Sequence, residues 1–175
     1  MLCAMEDGTM ENLFNQYSYV IISLSVLVAS LILLRRYNAD RRVMASAMVL
    51  LLVLVVAGNF LLRPGKSDID SVDAAQMALQ NGRPTFIEFF SNYCASCLAL
   101  RPAVDLLVSE IEEDYNILRI DIHTEFGREL RQNFEFDFTP EFVLFDRSGQ
   151  EVWRSHSLPP RDKIFALLPG PNTAS

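Results

Sequence analysis

Two cysteines separated by two residues, Cys94 and Cys97, lie in the stretch EFFSNYCASCLALRP at 88–102. Such a pair has three uses in proteins: thiol–disulfide exchange, half of a metal site, or two inert buried thiols. A short apolar run, PTFIEFF at 84–90, precedes the pair, and an amphipathic helical pattern follows from about Cys94 to Glu113. Cys94 therefore opens a helix directly after a buried strand. At that place unsatisfied backbone N–H groups and the positive end of the helix dipole favour thiolate over thiol. Cys97 follows about one helical turn later, within reach of a mixed disulfide formed on Cys94. One nucleophile and one resolving thiol are the minimum for exchange. A structural zinc site needs four ligands. The remaining candidates are Cys3, beyond two long apolar runs, and His123 and His156, which lack ligand spacing with each other.

The elements that would hold the pair are legible in the surrounding pattern. Ser71 caps a helix through VDAAQMALQ that stops at Asn81-Gly82. PTFIEFF is a buried strand. Pro102 falls inside the following helix, where it kinks the helix or removes a hydrogen bond. NILRIDI (116–122) predicts a strand, and TEFGRELRQNF (124–134) a helix capped by Thr124 and weakened by Gly127. PEFVLFD (140–146), the turn RSG and QEVWRS (150–155) predict a hairpin, and PPRDKIFALL a final helix opening at proline. The order αβαβαββα implies a mixed sheet with helices on both faces. Trp153 and Phe134, Phe136 and Phe138 read as packing residues, and the run EIEED (110–114) as a solvated helix end.

Charge and hydropathy divide the chain. Residues 17–34 and 43–62 carry no charged side chain, and the connector RRYNADRR at 35–42 carries four arginines. A bilayer core needs about 20 apolar residues in a helix, so two transmembrane helices are expected at 17–34 and 43–62. The N-terminal tail, 1–16, has no Lys or Arg, so the positive-inside bias places the connector in the cytoplasm. The part beyond the linker 63–70 then lies on the extracytoplasmic side of a plasma or inner (or thylakoid-type) membrane. Neither span holds a cysteine, Asp, Glu, Lys or His, so the spans anchor and do not relay thiols or protons. From Ser67 onward 9 Lys/Arg face 18 Asp/Glu within a chain of net charge −7. Such an acidic domain has no footing for nucleic acid.

FIEFFSNYCASCLALRP, followed by LRIDI, FTPEFVLFDRSGQEV and a last helix, resembles the thioredoxin fold over 71–168, leaving a tail at 169–175. In detail the stretch is similar to membrane-anchored thioredoxin-like disulfide reductases of bacteria, cyanobacteria and chloroplasts, often acting in cytochrome maturation. The resemblance implies that Cys94 is the attacking thiolate, exposed at the helix start, and Cys97 the buried resolving thiol. It implies that Glu88 is the buried acid, with a raised pKa, that shuttles the proton of Cys97. Tyr93 would replace the usual tryptophan as an aromatic cover. Thr139-Pro140 matches the family's cis-proline, where the Thr139 backbone pairs with an extended substrate, and Pro102 matches the proline of the active-site helix. Several positions depart from the pattern. Ala95-Ser96 replaces Gly-Pro, Ile117 stands for a lysine near the buried acid, Ser157 beside His156 replaces a glycine, and the first strand is missing. His156 could therefore sit near the dithiol and tune it.

The expectation is a membrane-tethered oxidoreductase that reduces disulfides of extracytoplasmic proteins. It would take electrons from a membrane thiol donor and need no cofactor beyond its own Cys94–Cys97 disulfide. The alternatives are a docking or assembly module with an incidental dithiol, or a disulfide oxidant or isomerase.

Overall fold

A computed structural model describes residues 12–38, 40–134 and 138–167; Cys3, Phe136 and the C-terminal tail fall outside them. After a short helical segment at 12–16, α1 (Ser18–Arg36) and α2 (Arg41–Leu62) form a hairpin. Both helices are long and apolar enough to cross a membrane, and neither buries a residue in the protein. That exposure excludes a core hairpin, since helices apolar on every side need lipid or protein around them. The hairpin is fastened where Tyr19 Oη donates to the Val55 carbonyl at 2.6 Å.

The remaining elements follow the expected order: α3 (Val72–Gln80), β1 (Thr85–Phe90), α4 (Ala95–Ile111), β2 (Asn116–Asp121), α5 (Glu125–Phe134), β3 (Glu141–Phe145), β4 (Glu151–Ser155) and α6 (Arg161–Ala166). Ser71 caps α3 by accepting from the Ala74 N–H at 3.3 Å. The four strands align β2-β1-β3-β4, with β1 parallel to β2 and antiparallel to β3, and β4 antiparallel to β3.

Side chains alternate across the strands, so β1 feeds two cores. Ile87 and Phe89 pack with Ala75 of α3 and Leu130 of α5, while Phe86 packs with Val104 and Ile111 of α4 and Ile164 of α6. Helices thus cover both faces of a sheet whose central strands β1 and β3 are buried throughout.

Two expectations change. The stretch at 63–70 is not a free linker. The Asp68 N–H donates to the Arg119 carbonyl at 3.0 Å, the Arg119 N–H donates to Asp68 Oδ2 at 3.1 Å, and the Asp121 N–H donates to Ser67 Oγ at 2.8 Å. These bonds cover the edge of β2 that the missing first strand would have paired, an edge that otherwise invites association.

Gly127, expected to weaken α5, is instead required there. A Cβ on it would run into the Asp121 carbonyl oxygen and lie 2.7 Å from Thr124 Oγ1. The α5 entry closes over the end of β2 too tightly for any other residue. Gly127→Ala is expected to destabilise the domain by roughly 1–3 kcal/mol, the range for overpacking, despite alanine's better helix propensity. A chemical-denaturation midpoint at or above wild type would refute this.

Candidate functional site

Cys94 is the N-cap of α4, and its Sγ accepts from the Cys97 N–H at 3.4 Å. That bond uses one of the donors every helix start leaves free. Both thiols are free, and they form a buried cluster with Phe90 at the end of β1. The strand delivers the pair to the edge of the core, and the helix start turns Cys94 Sγ back over the first turn toward Cys97.

The environment splits the two thiols. Cys94 is held far below the usual thiol range, at about 5. The main cause is a hydrogen bond from the Cys97 thiol; burial opposes it, and the Ser96 hydroxyl and the Cys97 N–H add to the lowering. Ser96 Oγ lies 3.0 Å from Cys94 Sγ. The Thr139 carbonyl, 3.4 Å away, accepts from the thiol form and pulls the other way, but the donors outnumber it. A lowering of this size corresponds to roughly 5 kcal/mol in favour of the thiolate. Cys97 is pushed up instead, first by burial, then by its bond to Cys94 and by the Cys94 charge. One sulfur is a standing anion and its neighbour a standing acid.

Glu88 lies on β1 with 1% of its surface exposed. Burial raises its pKa, and Arg119 holds back part of the rise. The basic partner missed at Ile117 is Arg119: the β1–β2 register sets Arg119 beside Glu88, and its Nε donates to Glu88 Oε2 at 2.6 Å. A second carboxylate, Asp105 of α4, takes Arg119 Nη1 at 2.8 Å. No hydrogen bond joins Glu88 to either cysteine.

The Thr139-Pro140 peptide is cis, and both residues are buried beside Cys94. His156 sits behind them, its Nδ1 3.1 Å from the Pro140 carbonyl and its ring edge-on to Phe138; it makes no contact with the cysteines. Pro102 lies within α4, two turns past Cys94. Tyr93 is 42% exposed, stacked on Tyr17 at 5.7 Å and edge-on to His123 at 5.5 Å.

One expectation fails here. Cys94, expected to be exposed, has no accessible surface, and residues of the segment 12–19 are bonded to its neighbours. Asn15 bonds Thr139 through its carboxamide, the Gln16 carbonyl accepts from Ser91 Oγ at 2.9 Å, and Ser18 Oγ accepts from the Ala95 N–H at 2.9 Å. His123 joins the same cluster, its Nε2 2.9 Å from Ser91 Oγ. Asn15 and Ser91 were missed in the sequence, and His123 was raised there only as a metal-ligand candidate. Only Ser91, three residues before Cys94, had position as a signal.

Chemically, this arrangement offers a stabilised thiolate, a protonated second thiol one turn away, and a backbone edge at Thr139. The family model "Thioredoxin" matches residues 70–168, more than half of the chain. Among curated proteins, the chain is 29% identical to the Arabidopsis thaliana "Thioredoxin-like protein HCF164, chloroplastic", over 65% of this chain and 44% of that one. It is 34% identical to the Synechocystis sp. "Thiol:disulfide interchange protein TxlA homolog", over 45% of this chain and 43% of that one. The chain thus spans less than half the length of these relatives. Among solved structures, mitochondrial thioredoxin 3 from Saccharomyces cerevisiae aligns with a TM-score of 0.47 at 16% identity, covering 57% of this chain and 90% of that one. With its family model matched from 70 to 168 and a cysteine pair at the strand-to-helix junction, the chain belongs to the thioredoxin family.

Proposed function

We propose that this protein is a membrane-tethered thiol–disulfide oxidoreductase that reduces disulfides of extracytoplasmic proteins. The observation that carries the reading is the split pair: Cys94 held as thiolate at about 5 with the Cys97 thiol raised beside it. The Cys94 thiolate attacks one sulfur of a client disulfide, the client S–S bond breaks, and the second client sulfur leaves as a thiolate and takes a proton from solvent. Cys97 then loses its proton and attacks Cys94 Sγ. The Cys94–Cys97 bond forms, and the first client sulfur leaves. Glu88, whose carboxylate burial makes more basic, takes the Cys97 proton in its ionised form and later returns it to solvent. Tyr93 and the Thr139-Pro140 edge receive the client chain.

Two electrons per cycle return by the reverse exchange with a donor dithiol. The spans contain no cysteine, so that donor is another protein, a membrane thiol carrier. The name of the Synechocystis relative, a thiol:disulfide interchange protein, supports the exchange; the two long apolar helices support the tether, and the four connector arginines its sidedness. Maturation of cytochromes is the client pathway suggested by the resemblance.

The test is stoichiometric. The reduced full-length protein, mixed with a disulfide-linked reporter peptide, releases the reporter's two thiols once per molecule, and Cys94→Ala releases none above background. Release by Cys94→Ala at the wild-type rate would refute the proposal.

A second reading, as oxidant or isomerase, is favoured by one observation: stabilising the Cys94 thiolate stabilises the reduced form and raises the potential. At about 5, Cys94 lies between thioredoxin's first cysteine, near 7, and that of DsbA, near 3.5. The reduction potential is expected between about −270 and −120 mV. A glutathione redox titration that places it near −120 mV would assign the protein to the oxidants.

A further inference from the structure

We infer that residues 12–19 are a built-in occupant of the client groove, and that Asn15 holds the site closed by pairing with Thr139 as a client backbone would. This rests on the exchange reading above and adds its regulation. Its evidence is geometric. The Thr139 N–H donates to Asn15 Oδ1 at 2.8 Å, and Asn15 Nδ2 donates to the Thr139 carbonyl at 2.9 Å. A carboxamide carries one acceptor and a donor pair. Here it satisfies both backbone groups of one residue, the pattern an added β-strand makes. The Thr139 hydroxyl donates to the same Asn15 Oδ1 at 3.0 Å.

The rest of the segment is fastened around the dithiol. Gln16 is tied to Ser91, and Ser18 takes the Ala95 N–H at the mouth of α4. The Tyr19 N–H donates to the Tyr93 carbonyl at 3.0 Å, and the Tyr17 ring stacks on Tyr93 and leans on His123 at 5.2 Å. Cys94 beneath has no accessible surface.

A client disulfide must reach Cys94 Sγ in line with its own S–S bond, and no such approach exists while 12–19 is seated. The segment must lift, and it runs directly into α1, so its position is coupled to the membrane helix. The partner that displaces it is a polypeptide offering an extended stretch with free backbone N–H and C=O groups to Thr139. Compact clients lacking such a stretch are excluded.

The experiment uses the reduced full-length chain in lipid nanodiscs, as wild type, Asn15→Ala and, independently, Tyr17→Ala. Two rates are read at pH 7: alkylation of Cys94 by iodoacetamide, located by mass spectrometry, and thiol release from the reporter peptide disulfide. Asn15→Ala is expected to raise Cys94 alkylation at least about tenfold, the effect of losing one or two net hydrogen bonds, and Tyr17→Ala to raise it in the same direction. Reporter turnover rises with it. Unchanged alkylation in both variants would overturn the gate; turnover by the wild type would then leave the exchange reading standing. Faster alkylation with no turnover in any form would keep the cover and sink the exchange reading.

Discussion

Replacing Cys97 with alanine is expected to abolish turnover while leaving clients covalently attached to Cys94. The first attack needs only Cys94, but release needs a second thiol, and among the described residues Cys97 is the only other cysteine. The mixed disulfide therefore accumulates and can be identified by mass. The variant has a second signature. The Cys97 thiol is the largest cause of the low Cys94 pKa, so its removal moves the Cys94 titration upward, toward the ordinary thiol value of about 8.5. In the wild type, alkylation of Cys94 stays flat from neutral pH down and falls only as pH drops through about 5. In Cys97→Ala the fall begins at a higher pH. The linkage has the corresponding sign. A folded pKa below the unfolded value contributes stability above the unfolded pKa, and this is lost as pH falls through about 5. Wild-type turnover by Cys97→Ala, or an unmoved titration, would remove the basis of the proposed mechanism.

The second large effect lies one layer deeper. Arg119→Leu is expected to cost about 3 kcal/mol, at the low end of the range for breaking a buried ion pair. Glu88 at 1% exposure would keep its burial and lose the guanidinium held at 2.6 Å. The loss is smaller than the extreme because Glu88 can protonate. Its pKa, raised already by burial, rises further without Arg119. A carboxyl with a raised folded pKa contributes stability at low pH that is lost as pH rises through that value. The variant is therefore expected to be closer to wild type at pH 5 than at pH 8. Glu88→Leu/Arg119→Leu together should recover much of the loss, since two leucines leave no unpaired charge. Equal destabilisation at both pH values, read from urea midpoints, would show that Glu88 stays ionised and does not exchange protons.

Much of this domain is written locally. Ser71, the alternation in PTFIEFF and the strand-to-helix change before Cys94 each encode their element within a few residues, and the αβαβαββα order follows from them. What escaped depends on distant partners. Arg119 could not be chosen over Ile117 without the parallel register that sets Glu88 against it. Asn15 and Thr139 are 124 residues apart, and ENLFNQ has no periodicity to announce a docking segment. The edge role of Ser67 and Asp68 was hidden for a similar reason: a turn-rich stretch reads as a linker until a strand lies beside it. The exposure of Cys94 was misjudged because the helix start alone opens the site, and only the chain crossing above it closes it.

The attachment of the domain to the end of α2 sets where chemistry can take place. Asn59 donates to the Asn92 carbonyl at 3.0 Å, Asn92 exchanges bonds with Gly65 at 2.7 and 3.0 Å, and Arg101 Nη1 reaches the Leu61 carbonyl at 2.8 Å. On the proposed reading of α1 and α2 as a membrane anchor, these bonds hold the dithiol close to the end of the hairpin instead of letting it sweep a hemisphere on a string. Under that same reading, encounters with other bilayer-bound proteins would become a two-dimensional search, and a soluble client would have to bring its disulfide down to the lipid surface to react.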